Sequence, residues 1–477
     1  MGLSIEIRLA TARQRTRDMI SADPALRPSG VYRRLVYRLV IPAVMLGVYV
    51  ALALLWHWGP RSVYFDVLSF VGIEPFRFPF LDIHAVLAAA ECQRQGMDVY
   101  VSNPCDAIGR PHVYSPLWLA ITPVFFGTRA TLWVGLSLDL LFIVSLASVL
   151  RPRTPREMLV YGLAVLSPTT VYALERANND LVVFLLILSG GILLMAPRPY
   201  RLFSYALFLV SGLLKYYPLA LLVLLIREHR RAAAAFLIPM CMILISFGIH
   251  FRLELGKALA NIPAQSYFSD SFSAQNLPFG IGEILGNGFY RTSIGVSLLG
   301  ALSAVAAAKT LRTVCLLGRG EFDWNRTEMR WLAIGGILVS ACFFAGQNIN
   351  YRGVYFLFVI PGLVEIYRSA GETAIRQFQA RMIAAALFLM WEEFFRRALQ
   401  AMVTLVPNRG LIYAEVCFWI GREFVWWWLV SGLAAIVLTY LGQLPSPQGG
   451  IVRFGVGAFS IKINRCVSAR HSANIFR

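Results

Sequence analysis

From residue 35 to residue 441, apolar stretches alternate with short polar turns that carry most of the arginines. A helix of about twenty apolar residues crosses roughly 30 Å of hydrocarbon, so the pattern predicts an all-α polytopic membrane protein. The first crossing is Val36–His57, which places residues 58–114 outside. Within that loop, Ser62–Gly72 and Ala85–Ala90 show helical spacing and predict short helices lying on the membrane surface. Leu117–Phe126 is too short to span alone, so 116–150 reads as one interrupted crossing that ends at Arg151, Arg153 and Arg156. Leu159–Leu174 leads out to a polar turn at 175–180, and Leu181–Ala196 returns.

Residues 202–226 are basic at both flanks, which predicts a hairpin of two short helices broken at Lys215-Tyr216-Tyr217-Pro218. Proline ends a helix by removing a donor and clashing with the preceding turn, and such breaks at membrane depth are tolerated where they line a cavity. Ala232–Phe247 leads to a second outer loop at 251–291, long and rich in Gly, Asn and Ser, which suits a substrate cover. Thr292–Leu311, Trp331–Phe344, Val354–Ile366, Met382–Val406 and Phe424–Leu441 complete the set. The expected architecture is a bundle of about 10–12 transmembrane or embedded helices, about ten of them crossings. Residues 1–34 form a basic cytoplasmic N-terminus, 35–441 the membrane domain, and 442–477 a disordered cytoplasmic tail.

Composition agrees. The 477 residues are 57% hydrophobic and 15% charged, with a mean hydropathy of +0.62, where soluble domains sit near ~45–50% and ~25%. The first eighteen residues are too polar for a cleavable signal peptide, so the first crossing is expected to serve as its own insertion signal. A net charge of +18 does not indicate nucleic acid, because the basic residues sit at helix ends, the positive-inside pattern, and no soluble basic domain exists to carry such a role. Seven cysteines lack CxxC spacing, which argues against a zinc site. Cys92 and Cys105 fall in the first outer loop, as a disulfide if that loop faces an oxidising compartment and as free thiols otherwise.

Chemistry concentrates in one polar interlude, Phe78 to Trp118, which packs Asp82, His84, Glu91, Asp98, Asp106 and His112 into thirty-one positions. Asp82 is bracketed by Phe78, Phe80 and Leu81, where local burial raises a carboxylate toward a useful base; the alternative is a solvated loop aspartate. His84 either orients an acceptor or Asp82, or is a helix-surface histidine, and His112 carries the same alternatives. Lys215 stands alone in an apolar stretch, an expensive placement that marks function. Arg176 and Arg352 are phosphate-holding candidates or interfacial anchors. Asn178, Asn179 and Asp180 suit sugar hydroxyls, or cap a helix after a tight turn. Glu392-Glu393 with Arg396-Arg397 predicts two i,i+4 ion pairs, and Trp426-Trp427-Trp428 predicts an interfacial aromatic belt.

Asp82, then Gly96-Met97-Asp98-Val99-Tyr100, then Tyr114-Ser115-Pro116-Leu117 resembles the first-loop pattern of the GT-C glycosyltransferases. The likeness is nearest to the polyprenol-phosphate-mannose-dependent mannosyltransferases, and Glu175–Asp180 (ERANND), Leu214–Pro218 (LKYYP) and Asn350-Tyr351-Arg352 extend it over roughly residues 30–370. The resemblance implies a GT-C-type bundle and an inverting transfer of mannose or another hexose from a polyprenyl-phosphate donor to a lipid or glycan acceptor. It implies Asp82 as base, with His84, Tyr114, Asn178, Asn179, Asp180, Lys215, Tyr216, Asn350 and Arg352 binding substrate. His84 stands where a D-x-D pair would need its second acid, so neither a metal nor any cofactor is expected. The expected partners are the donor, the acceptor and membrane lipids, with no nucleic acid; the expected location is a bacterial inner membrane with the active face toward the periplasm. A transporter or flippase for a lipid-linked glycan is the main alternative, since broken helices suit it equally. A polymer-ligase-type transferase is a third reading, although its large loop usually comes late.

Overall fold

The computed structural model describes residues 28–76, 78–263, 265–286, 289–403, 410–445 and 451–453. The chain is an all-α polytopic membrane protein. Among the described residues, six helices are long and apolar enough to cross a membrane: within Leu35–Trp58, Thr128–Val149, Arg230–His250, Tyr290–Leu317, Thr327–Ala345 and Tyr413–Gly442. A seventh span results if Pro155–Val165 and Pro168–Glu175, bent by 46°, count as one. The expected return at Leu181–Ala196 and the hairpin at 202–226 fall on three shorter apolar helices, Asn179–Leu193, Tyr200–Leu214 and Tyr217–Arg227.

Helix starts follow a local rule. Thr154-Pro155, Ser167-Pro168 and Ser115-Pro116 each place a hydroxyl that accepts from a first-turn N–H, with proline at N1, where its missing donor costs nothing. The 46° bend arises there, because Ser167 and Pro168 start a new helix where the previous one stops. The break in 202–226 lies where expected: Arg198–Leu214 ends at Lys215, whose backbone is extended, and a 3-10 helix runs over Tyr217–Arg227.

The bundle has a centre and a rim. The membrane windows of Thr327–Ala345 and Tyr413–Gly442 are each 67% buried, whereas those of Arg230–His250 and Tyr290–Leu317 are 6% and 11% buried and form the rim. Close packing at the centre uses small residues: a Cβ on Gly362 would lie 2.3 Å from Leu332 Cβ, and one on Gly191 2.2 Å from the Trp331 ring. Two short strands, β1 (Ser271–Phe272) and β2 (Asn348–Ile349), pair antiparallel with Ser271 opposite Ile349, tying the second outer loop to the segment after Thr327–Ala345.

Several expectations need correction. Residues 116–150 do not form one interrupted crossing: Thr128–Val149 is long enough by itself, and Pro116–Ile121 packs against Leu81–Arg94 and Arg198–Leu214. The predicted span Met382–Val406 divides at Trp391 into Thr373–Met390 and Glu392–Val403, its last residues lying outside the described ones. The i,i+4 pairs are absent: Arg396 meets Glu393, Arg397 meets Glu74, and Arg422 faces Glu392. Trp426 and Trp427 are core residues, with Trp426 stacked on Phe272 at 4.2 Å, so burial rather than an interface explains them. Residues 1–27 and most of the predicted tail lie outside the described residues; of the tail, Gln443–Pro445 pairs with Ile451–Arg453.

Candidate active site

Two stretches far apart in sequence meet through their backbones. The Phe80 N–H donates to the Glu175 carbonyl at 2.8 Å and the Asp82 N–H to the Arg176 carbonyl at 3.2 Å. Left-handed backbone at Phe80 (φ 66°) and Ala177 (φ 41°) turns the chain sharply into the two helices that follow, Leu81–Arg94 and Asn179–Leu193. Asp82 thus sits in a first helical turn and is buried, with 6% of its surface exposed. The positive end of a helix favours a carboxylate there.

Asn178 holds the two helix starts together. Its Oδ1 accepts from the Asp180 N–H at 2.8 Å, capping the second helix, and its Nδ2 donates to Asp82 Oδ2 at 2.5 Å. Asp82 Oδ1 lies 3.8 Å from Arg110 and 3.9 Å from Arg176, with no hydrogen bond to it among the described residues. Each guanidinium is itself held. Arg110 donates to Asp106 at 3.0 Å and to the Leu81 carbonyl at 3.1 Å. Burial pushes the Asp106 carboxyl up, yet the Arg110 hydrogen bonds and charge outweigh it and keep it below the usual range. Arg176 reaches Glu175 (3.1 Å), the Tyr172 hydroxyl (3.0 Å) and the Glu74 carbonyl (3.3 Å). Cys92 and Cys105 form a disulfide, which anchors the residue beside Asp106.

A second ionic group lies at the start of Asn179–Leu193. Asp180 receives Lys215 Nζ at 2.7 Å, lies 3.4 Å from Arg352 Nε, and accepts from the hydroxyls of Tyr217 and Tyr355. Lys215 also lies 5.5 Å from the Tyr114 ring and 6.0 Å from the Tyr351 ring. Arg352 contacts Asn348 and sits over the Tyr217 ring. Across both groups, Asp82, Asp106, Glu175 and Asp180 face Arg110, Arg176, Lys215 and Arg352, four acids against four cations. Buried charge needs such pairing. Arg176 and Arg352 have side chains 10% and 15% exposed, too enclosed for interfacial anchors.

The remaining expected residues are spread more widely. Asn179 is fully buried, and neither end of its amide has a partner among the described residues. Asn350 donates to Glu393 at 3.3 Å. His84 does not contact Asp82; its Nδ1 meets Thr131 Oγ1 at 3.0 Å and its ring meets Phe78, and burial lowers its pKa. His112 is buried between Tyr100 and Tyr114, and burial, opposed by a backbone hydrogen bond at Ser115, takes it down to about 4. Tyr216 is 48% exposed and turned away from Asp180; Tyr217 takes the place expected of it. The extended backbone at Lys215 resets the helical phase, so which of two adjacent tyrosines points inward is undetermined by spacing. Arg110 had one available signal, Asp106 four residues before it in the same polar interlude.

No protein-family model, curated relative or solved structure matches the chain.

Proposed function

We propose that this multi-pass membrane protein is an inverting glycosyltransferase that moves mannose or another hexose from a polyprenyl-phosphate donor to a lipid or glycan acceptor. The observation that carries the reading is the asymmetry of Asp82: Oδ2 is pinned by Asn178, while Oδ1 accepts no hydrogen bond among the described residues. That is the arrangement a general base needs, an oriented carboxylate with one oxygen left for the incoming hydroxyl. In the proposed step the acceptor O–H gives its proton to Asp82 Oδ1 as its oxygen bonds to the anomeric carbon. The bond from that carbon to the phosphate oxygen breaks, and its electron pair leaves with the lipid phosphate. Configuration inverts because attack and departure lie on opposite faces. The leaving group is already an anion of low basicity, so it requires cations rather than a general acid; the proposed cations are Lys215 and Arg352, which share Asp180 at rest.

The disulfide at Cys92–Cys105 supports an oxidising compartment for the first loop, in keeping with a bacterial inner membrane and a periplasmic site. Broken helices at 165–168 and 214–217 favour the alternative of a lipid-linked glycan transporter. Transfer of radiolabelled mannose from polyprenyl-phosphate-mannose to membrane lipid extract, by wild type and by Asp82→Asn, separates them. The transferase reading expects label to move with wild type only; a protein that moves lipid-linked glycan across vesicles equally well with either residue refutes it.

A further inference from the structure

Asp270 belongs to the second outer loop, and three observations bring it to the site. It is the third of the described non-glycine residues with left-handed backbone (φ 55°); the other two are Phe80 and Ala177, which flank Asp82 and Asn178. Its backbone is wired into the segment that carries Arg352: the Asn350 N–H donates to the Asp270 carbonyl at 3.2 Å, and the Asp270 N–H donates to Glu393 Oε1 at 3.3 Å. Its side chain is half exposed, 3.6 Å from Arg396. The Tyr172 hydroxyl accepts from Arg176, which lies 3.9 Å from Asp82, and its ring meets that of Tyr351, the neighbour of Asn350, at 5.6 Å. Asp82 and the Asp270 backbone are thus connected through Arg176, Tyr172, Tyr351 and Asn350.

One further atom points to a ligand. Asn350 is 94% buried, since 6% of its surface is exposed, and its Oδ1 has no partner among the described residues although its Nδ2 is bound to Glu393. The balance of charge selects the ligand. Asp270, Glu393 and Glu74 balance Arg396, Arg397 and the Arg176 that holds the Glu74 carbonyl, an environment without the excess of cations that a phosphodiester needs and suited to neutral hydroxyls. A carboxylate takes two neighbouring hydroxyls at once, and aromatic rings with a few convergent polar groups are the usual lining of a small-molecule site.

We propose that Asp270 is the acceptor-selecting residue, holding adjacent hydroxyls of a sugar acceptor against Tyr172 and Tyr351 so that a further hydroxyl faces Asp82. This rests on the transferase reading and deepens it: the acceptor is a glycan or a sugar-headed lipid, and a plain lipid alcohol is a poor one. Asn tolerates left-handed backbone as well as Asp does, so Asp270→Asn keeps the loop and removes the charge; Asp270→Gly is the second variant.

Purified protein is titrated with methyl α-mannopyranoside, methyl β-glucopyranoside and methyl β-galactopyranoside, and separately with polyprenyl phosphate, by tryptophan fluorescence. At least one glycoside is expected to saturate wild type and to bind Asp270→Asn and Asp270→Gly about tenfold more weakly, the loss of one charged hydrogen bond, with polyprenyl phosphate unaffected. Equal glycoside binding by wild type and variants, no glycoside binding to wild type, or equal weakening of polyprenyl phosphate each overturns the proposal. Binding needs no turnover, so a failed transferase reading, tested with Asp82→Asn, is distinguishable from a failed assignment of Asp270.

Discussion

Asn178 performs two tasks with one amide, and substitutions can separate them. Serine keeps a side-chain oxygen able to cap Asn179–Leu193 but is too short to reach Asp82; alanine loses both contacts. Loss of a cap costs about 1 kcal/mol, and loss of a hydrogen bond to a charged group costs about 1.5–3 kcal/mol. If the Asp82 contact is felt mainly in the transition state, kcat should fall by about 10- to 150-fold in Asn178→Ser, with stability reduced far less than in Asn178→Ala. The assay pairs single-turnover transfer from the polyprenyl-phosphate sugar used by wild type with thermal unfolding followed by tryptophan fluorescence. Asn178→Ala should match Asn178→Ser in rate and lie about 1 kcal/mol lower in stability. A serine variant within twofold of wild-type rate refutes the reasoning, because the pinned oxygen then contributes nothing to the reaction. A rate loss that follows stability across both variants refutes it too, by reducing Asn178 to a cap.

Lys215→Met should destabilise by less than the ~3–5 kcal/mol of a wholly unpaired buried charge, because Arg352 still pairs with Asp180; adding Asp180→Asn should lower the melting temperature further, by leaving Arg352 without its acid. The disulfide closes a loop with a sequence separation of 13, so Cys92→Ser with Cys105→Ser should destabilise by about 3 kcal/mol, read as faster proteolysis of the first outer loop. Because His112 is lowered from 6.5 to about 4, the unfolded chain takes up a proton between those values that the folded chain refuses. Stability should be full above pH 6.5 and fall as the pH drops toward 4, by about 3 kcal/mol in total; His112→Gln should flatten that slope in a pH series of melting temperatures.

What could be read from the chain followed from local rules. Apolar length placed the six long spans, proline placed the break after Lys215, and lone polar residues at the ends of apolar runs marked Asp82, Asn178, Asp180, Lys215 and Arg352, which the fold gathers into two adjoining groups. Long-range pairing was illegible. Nothing local tells that Arg397 seeks Glu74 rather than Glu393, or that Trp426 stacks on Phe272 instead of lying at an interface. His84 does not reach Asp82, for a geometric reason. Two positions along a helix turn a side chain by about 200°, so a residue spaced like the second member of a D-x-D pair faces Thr131.

The two-residue sheet has a mechanical meaning. Asn348 pairs with Phe272 in the outer loop and takes Arg352 on its side-chain oxygen, while its amide is fastened to the carbonyls of Cys342 and Gly346. Loop and cation site thus share one fulcrum, and a displacement of the first is delivered to the second without any element in between. Coupling of this kind is reciprocal: whatever steadies the loop steadies Arg352, and whatever holds Arg352 steadies the loop.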